Sequence, residues 1–402
     1  MRAKWHCRRI CVCVLDIAGA ALVFASWLAA LYYWDPTRML FKRAVATDPY
    51  LYEAVEPRFR DQDPAAFIGV RDGAALREVR SKVVEVIWGR DGLPDSGLPD
   101  EVIRDLDKRR DSGDKCPSGP FEPLLKTLRC EVRNYATWDN LAGIDELRIF
   151  VRSESVESAF PASVAYFRPL RANGTLVIYQ HGFAGTYHAQ HRYLEHLVAA
   201  GFTVAATSLA NYGDNNCPER EQTPWCAVSA GVFDVPLPMR VHFTPLVKTI
   251  NFALGEGSVR HVAMIGFSAG AWITAVMAAV DTRIARSYPV AGVIPFYLRR
   301  DKEWSPAQSY PPLINAAGML DLYVLGASGA GRRQVQYFNR FDRCCYNGTR
   351  PLLYEKAVET AVREWGGGAF DVVIDETHAR HKISRWTFER ILGDLGASLG
   401  SQ

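Results

Sequence analysis

Residues 266–270 read Gly-Phe-Ser-Ala-Gly, so that Ser268 stands between two glycines. The largely apolar residues 261–265 before this motif favour a strand, and an apolar helical stretch begins at residue 271. A serine held on so sharp a turn crowds its neighbours, and only residues without a β-carbon leave room. The pattern predicts that Ser268 is exposed above a sheet, where its hydroxyl can act as a nucleophile.

A second motif lies upstream, where an apolar strand over residues 175–179 runs into His181 and Gly182. A loop of this kind supplies a backbone N–H that, with the N–H after the nucleophile, can hold the oxyanion of a tetrahedral intermediate. We predict that Phe183 and Ala269 donate these two hydrogen bonds. A structural His-Gly turn is the alternative.

Together the two motifs resemble those of the α/β-hydrolase superfamily, in its esterase and dienelactone-hydrolase-like branch. The resemblance covers about residues 144–395. It implies a mostly parallel central sheet flanked by helices. It also implies a serine hydrolase whose acid and histidine lie on the loops after the seventh and eighth strands of the family.

The acid has two candidates. Residues 311–321 resemble the seventh strand of the family, an apolar run that ends in Gly-x-x-Asp, and this makes Asp321 the first choice. Asp342 is the alternate because it lies closer along the chain to the candidate histidines. Either residue is otherwise a solvated surface carboxylate.

The base also has two candidates, since the last predicted strand, 370–374, runs towards His378 and His381. His381 lies just ahead of the closing helix, where the resemblance places the family's histidine, and it is preferred to His378. In such a triad the carboxylate orients the imidazole and the imidazole accepts the serine proton.

The elements that must position these residues begin near residue 144. Short apolar runs alternate with helical stretches from there on, which is typical of a sheet covered by helices. The predicted strands cover residues 146–151, 163–167, 175–179, 203–207, 261–265, 291–296, 313–317 and 370–374. The predicted helices cover residues 191–200, 245–254, 271–279 and 352–365. We therefore expect the active site at the carboxyl ends of parallel strands.

The N-terminal third divides into two parts. Residues 1–34 combine a basic cluster with an apolar run, which predicts an N-terminal transmembrane helix that acts as an uncleaved signal-anchor. A cleaved signal peptide is the alternative and would make the protein secreted. Residues 35–143, with helical periodicity over 74–87 and 101–110, are interpreted as a juxtamembrane accessory region, and residues 144–402 as the catalytic domain.

Cysteine usage favours export. Three of the nine cysteines lie in residues 1–34, and the other six follow, an even number that suits an oxidising compartment. Pairing of sequence neighbours would join Cys116 to Cys130 and Cys217 to Cys226 and leave Cys344 beside Cys345. Six cysteines allow 15 pairings, so the sequence does not determine the connectivity, and six free thiols in a cytosolic enzyme are the alternative.

The formal net charge of +3 is small for 402 residues and does not suggest a nucleic-acid partner. Neither metal-ligand spacing nor a phosphate-binding loop is present in the sequence, so no cofactor is implied. The predicted function is a membrane-anchored, extracytoplasmic hydrolase of small-molecule or lipid esters, with amides and thioesters as less favoured substrates. An acyltransferase and a non-catalytic scaffold on the same fold are the alternatives.

Overall fold

The structure is a computed structural model that describes residues 18–30, 34–46, 48–106, 135–153, 155–183, 185–216, 224–228, 231–300, 303 and 305–400. Within these ranges the strands are β1 (Glu101–Ile103), β2 (Leu141–Ser153), β3 (Val156–Pro169), β4 (Thr175–Gln180), β5 (Thr203–Thr207), β6 (His261–Phe267), β7 (Ile284–Val290), β8 (Arg333–Asn339) and β9 (Ala369–Asp375). The helices are α1 (18–30), α2 (Asp35–Val45), α3 (Pro57–Arg60), α4 (Gly73–Trp88), α5 (His191–Ala199), α6 (Pro224–Ala227), α7 (Arg240–Gly255), α8 (Ala269–Val280), α9 (Pro311–Ala316), α10 (Met319–Ala327), α11 (Leu352–Ala361) and α12 (Arg385–Gly400).

All nine strands belong to one sheet, in the order β1-β2-β3-β5-β4-β6-β7-β8-β9. β1, β2 and β3 pair antiparallel, and β3 pairs antiparallel with β5. From β5 to β9 every neighbouring pair is parallel. The predicted, mostly parallel sheet flanked by helices is therefore confirmed.

Apolar residues of the strands fill cores on both faces of the sheet. In β4, Leu176 and Ile178 join one buried cluster while Val177 and Tyr179 join another. Successive side chains of a strand point to opposite faces, so the two clusters lie on opposite sides. This two-sided burial explains why β4 reads as a continuous apolar run.

The register brings the loops of the site to one edge. Gln180 of β4 pairs with Gly266 of β6, so His181 and Ser268 leave neighbouring strands at the same level. Asn339 of β8 pairs with Asp375 of β9, and the loops that follow carry Asp342 and His381.

Three predicted elements differ from the structure. Residues 313–317, predicted as a strand, belong mostly to α9, which begins at Pro311, a residue well suited to the first turn of a helix. Residues 291–296 follow β7 instead of forming a strand. Residues 101–103, predicted as part of a helix, form β1 and pair with β2.

The predicted transmembrane helix is wrong. Among the described residues, no helix combines the length and the apolar character needed to cross a bilayer. The described part of the apolar segment is helical over residues 18–30, and residues 1–17 and 31–33 lie outside the described ranges.

Candidate active site

Ser268 occupies the sharp turn between β6 and α8. Its backbone has φ = 57° and ψ = −119°, a conformation with positive φ, and its N–H donates to Val290 O at 2.9 Å. A β-carbon on Gly266 would come within 2.1 Å of Gly270 O, and one on Gly270 within 2.2 Å of Gln180 O. Both glycines are therefore required by close backbone packing, as the motif predicts.

The imidazole of His381 lies between Ser268 and a carboxylate. His381 Nε2 is 2.8 Å from Ser268 Oγ, and His381 Nδ1 is 2.6 Å from Asp342 Oδ2. Because an ionised carboxylate only accepts hydrogen bonds, we assign the proton to Nδ1, which leaves Nε2 as the acceptor that faces the serine hydroxyl. The ring of Phe267 packs against the imidazole with centroids 4.9 Å apart.

Asp342 lies on the loop after β8, where its side chain is 1% exposed. The backbone N–H of Cys344 donates to Asp342 Oδ1 at 2.7 Å. Cys344 is joined to Cys345 by a disulfide bond between adjacent residues. One carboxylate oxygen therefore binds the loop itself, while the other faces His381.

Asn339 and Glu303 support this arrangement, and neither residue was predicted from the sequence. The side-chain amide of Asn339 donates to Lys382 O, next to His381, at 2.9 Å. Glu303 forms a buried ion pair with Arg350 and accepts the N–H of Tyr346 at 2.7 Å. Single polar residues without a motif offer no sequence signal that would distinguish them from surface residues.

Asp321, the first choice for the acid, does not join this group. It is the third residue of α10, and its Oδ1 accepts the N–H groups of Gly69 and Val70 at 2.7 and 2.9 Å. Its Oδ2 accepts from Gly318 N at 3.2 Å. Because residues 311–316 form a helix instead of the family's seventh strand, Asp321 caps a helix and binds the accessory region.

His378, the alternate base, is buried next to Asp375. Its Nδ1 accepts the N–H of Arg380 at 3.1 Å, and its Nε2 lies 3.4 Å from Asp375 Oδ2. Although burial opposes ionisation, the nearby imidazole of His378 and hydrogen bonds from Ser384 and Thr377 hold the pKa of the Asp375 carboxyl well below its ordinary range. This network fixes the loop from which His381 extends.

The loop after β4 approaches the nucleophile closely. A β-carbon on Gly182 would lie 2.7 Å from Ser268 Cβ and 3.1 Å from Ala269 N. Ala269 begins α8, and the first N–H groups of a helix have no partner within the helix. The backbone at Gly182 therefore lies beside the N-terminus of α8, an end of the helix that favours negative charge.

His181 itself is buried and lies 2.8 Å, through Nδ1, from the hydroxyl of Tyr179. Burial and the neighbouring His381 lower the pKa of His181 to about 4. Its imidazole is therefore neutral at pH 7 and adds no charge beside His381.

The described part of the chain contains no cluster of three or more His, Cys, Asp or Glu side chains arranged to hold a metal ion. Cys226 is disulfide-bonded. The predicted pairing of Cys116 with Cys130, and the position of Cys217, lie outside the described residues.

A comparison of the sequence with known protein families agrees with the observed fold. Residues 175–308 match the family model for the alpha/beta hydrolase fold. A search of curated proteins gave no match. This match confirms the predicted resemblance to the α/β-hydrolase superfamily.

Among solved structures, the methylesterase BT1017 superposes with a TM-score of 0.52 at 13% identity, over 82% of this chain and 64% of that one. An acetyl xylan esterase from Paenibacillus sp. R4 has a TM-score of 0.49 at 12% identity, with 85% of this chain and 98% of that one covered. Acetyl xylan esterase 1 from Thermoanaerobacterium sp. JW/SL YS485 has a TM-score of 0.48 at 13% identity, over 85% and 97%.

Proposed function

We propose that the chain is a serine hydrolase that cleaves esters through Ser268, His381 and Asp342. The observation that carries the proposal is the continuous set of contacts from Asp342 Oδ2 to His381 Nδ1 at 2.6 Å, and from His381 Nε2 to Ser268 Oγ at 2.8 Å. These are the contacts that a nucleophile, its base and an orienting acid require.

In the first half of the reaction, Ser268 Oγ attacks the carbonyl carbon of the ester while its proton passes to His381 Nε2. The carbonyl oxygen becomes an oxyanion, held by the N–H groups of Ala269 and Phe183. The intermediate then collapses, the alcohol leaves with the proton from His381, and an acyl group remains on Ser268.

Water completes the reaction. His381 Nε2 accepts a proton from the water molecule as its oxygen attacks the acyl carbon, and a second oxyanion forms in the same place. Collapse releases the carboxylic acid, and His381 returns the proton to Ser268 Oγ. Asp342 keeps its negative charge throughout and stabilises the imidazolium that forms twice.

Fluorophosphonate labelling together with turnover of p-nitrophenyl acetate tests this proposal. The wild-type protein should label once per chain and turn over the ester, and Ser268→Ala should abolish both. Ser96→Ala, a change at an exposed serine, is the matched control and should behave as wild type. Labelling that does not depend on Ser268 would instead favour a non-catalytic scaffold.

We also propose that the protein works in an oxidising compartment outside the cytoplasm. The support is the disulfide between Cys344 and Cys345 together with the disulfide-bonded state of Cys226. Mass measurement of the native protein after thiol alkylation, with and without reduction, tests this. Full alkylation of these cysteines before reduction would contradict it.

A further inference from the structure

A segment of the accessory region contacts both loops that carry the candidate acid and base. We define the N-terminal segment as residues 35–46 and 48–53, which include α2. Lys42 Nζ of this segment donates to Phe341 O at 2.8 Å. Phe341 directly precedes Asp342, so Lys42 binds the backbone of the loop after β8 that carries Asp342, which we call the acid loop.

The same helix also contacts the loop after β9 that carries His381, which we call the histidine loop. Asp35 Oδ2 lies 3.1 Å from Lys382 Nζ, and Asp35 Oδ1 lies 3.4 Å from Arg380 Nε. Lys382 and Arg380 are the two neighbours of His381 in the chain. The C-terminal part of α2 therefore contacts the acid loop, and the first residue of α2 contacts the histidine loop.

Apolar contacts also link the N-terminal segment, the acid loop and the histidine loop. A small buried cluster consists of Tyr52, Phe341 and Ala379, and Met39, Ala46 and Leu51 pack against it. The rings of Tyr52 and Phe341 meet edge to face with centroids 5.5 Å apart. Phe341 and Ala379 stand one and two residues before Asp342 and His381, so the segment packs beside both.

Arg340, on the acid loop, links the N-terminal segment to the histidine loop through polar contacts. Arg340 forms ion pairs with Glu53 of the N-terminal segment and with Glu376 of the histidine loop. Its Nε also donates to Tyr52 O at 3.1 Å. The segment thus reaches the histidine loop a second time, through a residue that precedes the acid by two positions.

We propose that the N-terminal segment sets the distance between Asp342 and His381, with Lys42 and Asp35 as its positioning residues. This inference rests on the proposed function. α2 buries none of its own residues completely, so its contacts contribute little to the core. Partly exposed ion pairs also add little to stability, whereas a misplacement of about 1 Å in a catalytic group costs up to about a hundredfold in rate.

The test compares full-length Lys42→Met and Asp35→Asn with the wild type. Each variant should lower kcat for p-nitrophenyl acetate and the rate of fluorophosphonate labelling by about tenfold, since both depend on the placement of the acid and base. KM and the thermal midpoint should change little. Lys42→Arg keeps a donor and a positive charge and should recover most of the rate.

Lys82→Met is the matched control, because Lys82 lies on α4 of the same region and pairs with exposed Glu78 on the same helix. An unchanged kcat in both Lys42→Met and Asp35→Asn would overturn the inference. A loss of rate that Lys82→Met shares, or one that follows a lowered thermal midpoint, would also overturn it. If the wild type shows no Ser268-dependent labelling, the proposed function fails instead, and the two failures are thereby distinguished.

Discussion

Asp342 Oδ2 lies 2.6 Å from His381 Nδ1, although 39 positions separate the two residues in the chain. The contact exists because β8 and β9 are parallel neighbours whose ends are in register. The loop after each strand therefore starts at the same edge of the sheet. One carboxylate oxygen of Asp342 contacts the imidazole of His381, and the other accepts a hydrogen bond from its own loop. These two contacts fix the orientation of the carboxylate.

Removal of the Asp342 charge should inactivate the enzyme without unfolding it. Asp342→Asn no longer selects the tautomer with the proton on His381 Nδ1, and kcat should fall by on the order of a thousandfold or more. Asp321→Ala is the comparison, since it leaves three backbone N–H groups without their acceptor and should lower stability by about 1–3 kcal/mol. Ester turnover and urea denaturation of both variants measure the two effects. Equal loss of kcat in folded Asp321→Ala would contradict the assignment of Asp342.

The positions of Ser268 and His381 in the candidate site could be predicted because strong local constraints produce them. The glycines around Ser268 are required by backbone contacts, and such constraints appear directly in the sequence. His381 stands at a defined distance before the last helix. Both features depend on residues close to them in the chain.

The acid was harder to predict because β8 does not look like a buried strand. Gln334 and Gln336 are fully buried, where they bind Ser287 Oγ and the hydroxyl of Tyr354. Hydrogen bonds from distant elements make this burial possible, and no local pattern reveals them. Because the sequence of β8 does not indicate a strand, it favours the apolar run before Asp321 as the strand that precedes the acid.

Gly182→Ala should damage catalysis through the oxyanion site. The added methyl group would meet Phe267 O and Ser268 Cβ at 2.7 Å, so the loop that contains Phe183 must move away from Ala269. Loss of one oxyanion donor costs about a hundredfold in kcat or more, and we expect a change of that order with KM little affected. Gly393→Ala, where no atom lies within 4 Å of the new carbon, should leave kcat unchanged. A normal kcat in Gly182→Ala would contradict this account of the oxyanion donors.

The buried ion pair between Glu303 and Arg350 should be important for stability. Their side chains are 5% and 1% exposed, and Glu303→Ala leaves the guanidinium buried without its counter-charge. We expect a loss of about 3–5 kcal/mol in the free energy of unfolding, measured by urea denaturation. Glu303→Ala combined with Arg350→Met should be less destabilised than Glu303→Ala alone. If the double variant is the less stable of the two, the unpaired charge is not the cause.

The ionised Asp375 carboxylate should stabilise the protein at neutral pH, and this contribution should be lost as the pH falls. Its pKa in the folded protein lies below the ordinary value of 3.8 because of the hydrogen bonds it accepts, despite its burial. A carboxyl with a lowered folded pKa stabilises the protein fully above its unfolded pKa and loses this contribution as pH falls below that value. At pH 7, Asp375→Asn should therefore be less stable than the wild type by about 2 kcal/mol. Below about pH 4 the difference should narrow, since only the wild type has the contribution of the Asp375 charge to lose there.

Urea denaturation at pH 7, 5, 4 and 3 measures these differences. Asp95→Asn, at an exposed position, serves as the control and should follow the wild-type curve at every pH. Parallel curves for Asp375→Asn and the wild type would show that Asp375 does not supply the pH dependence.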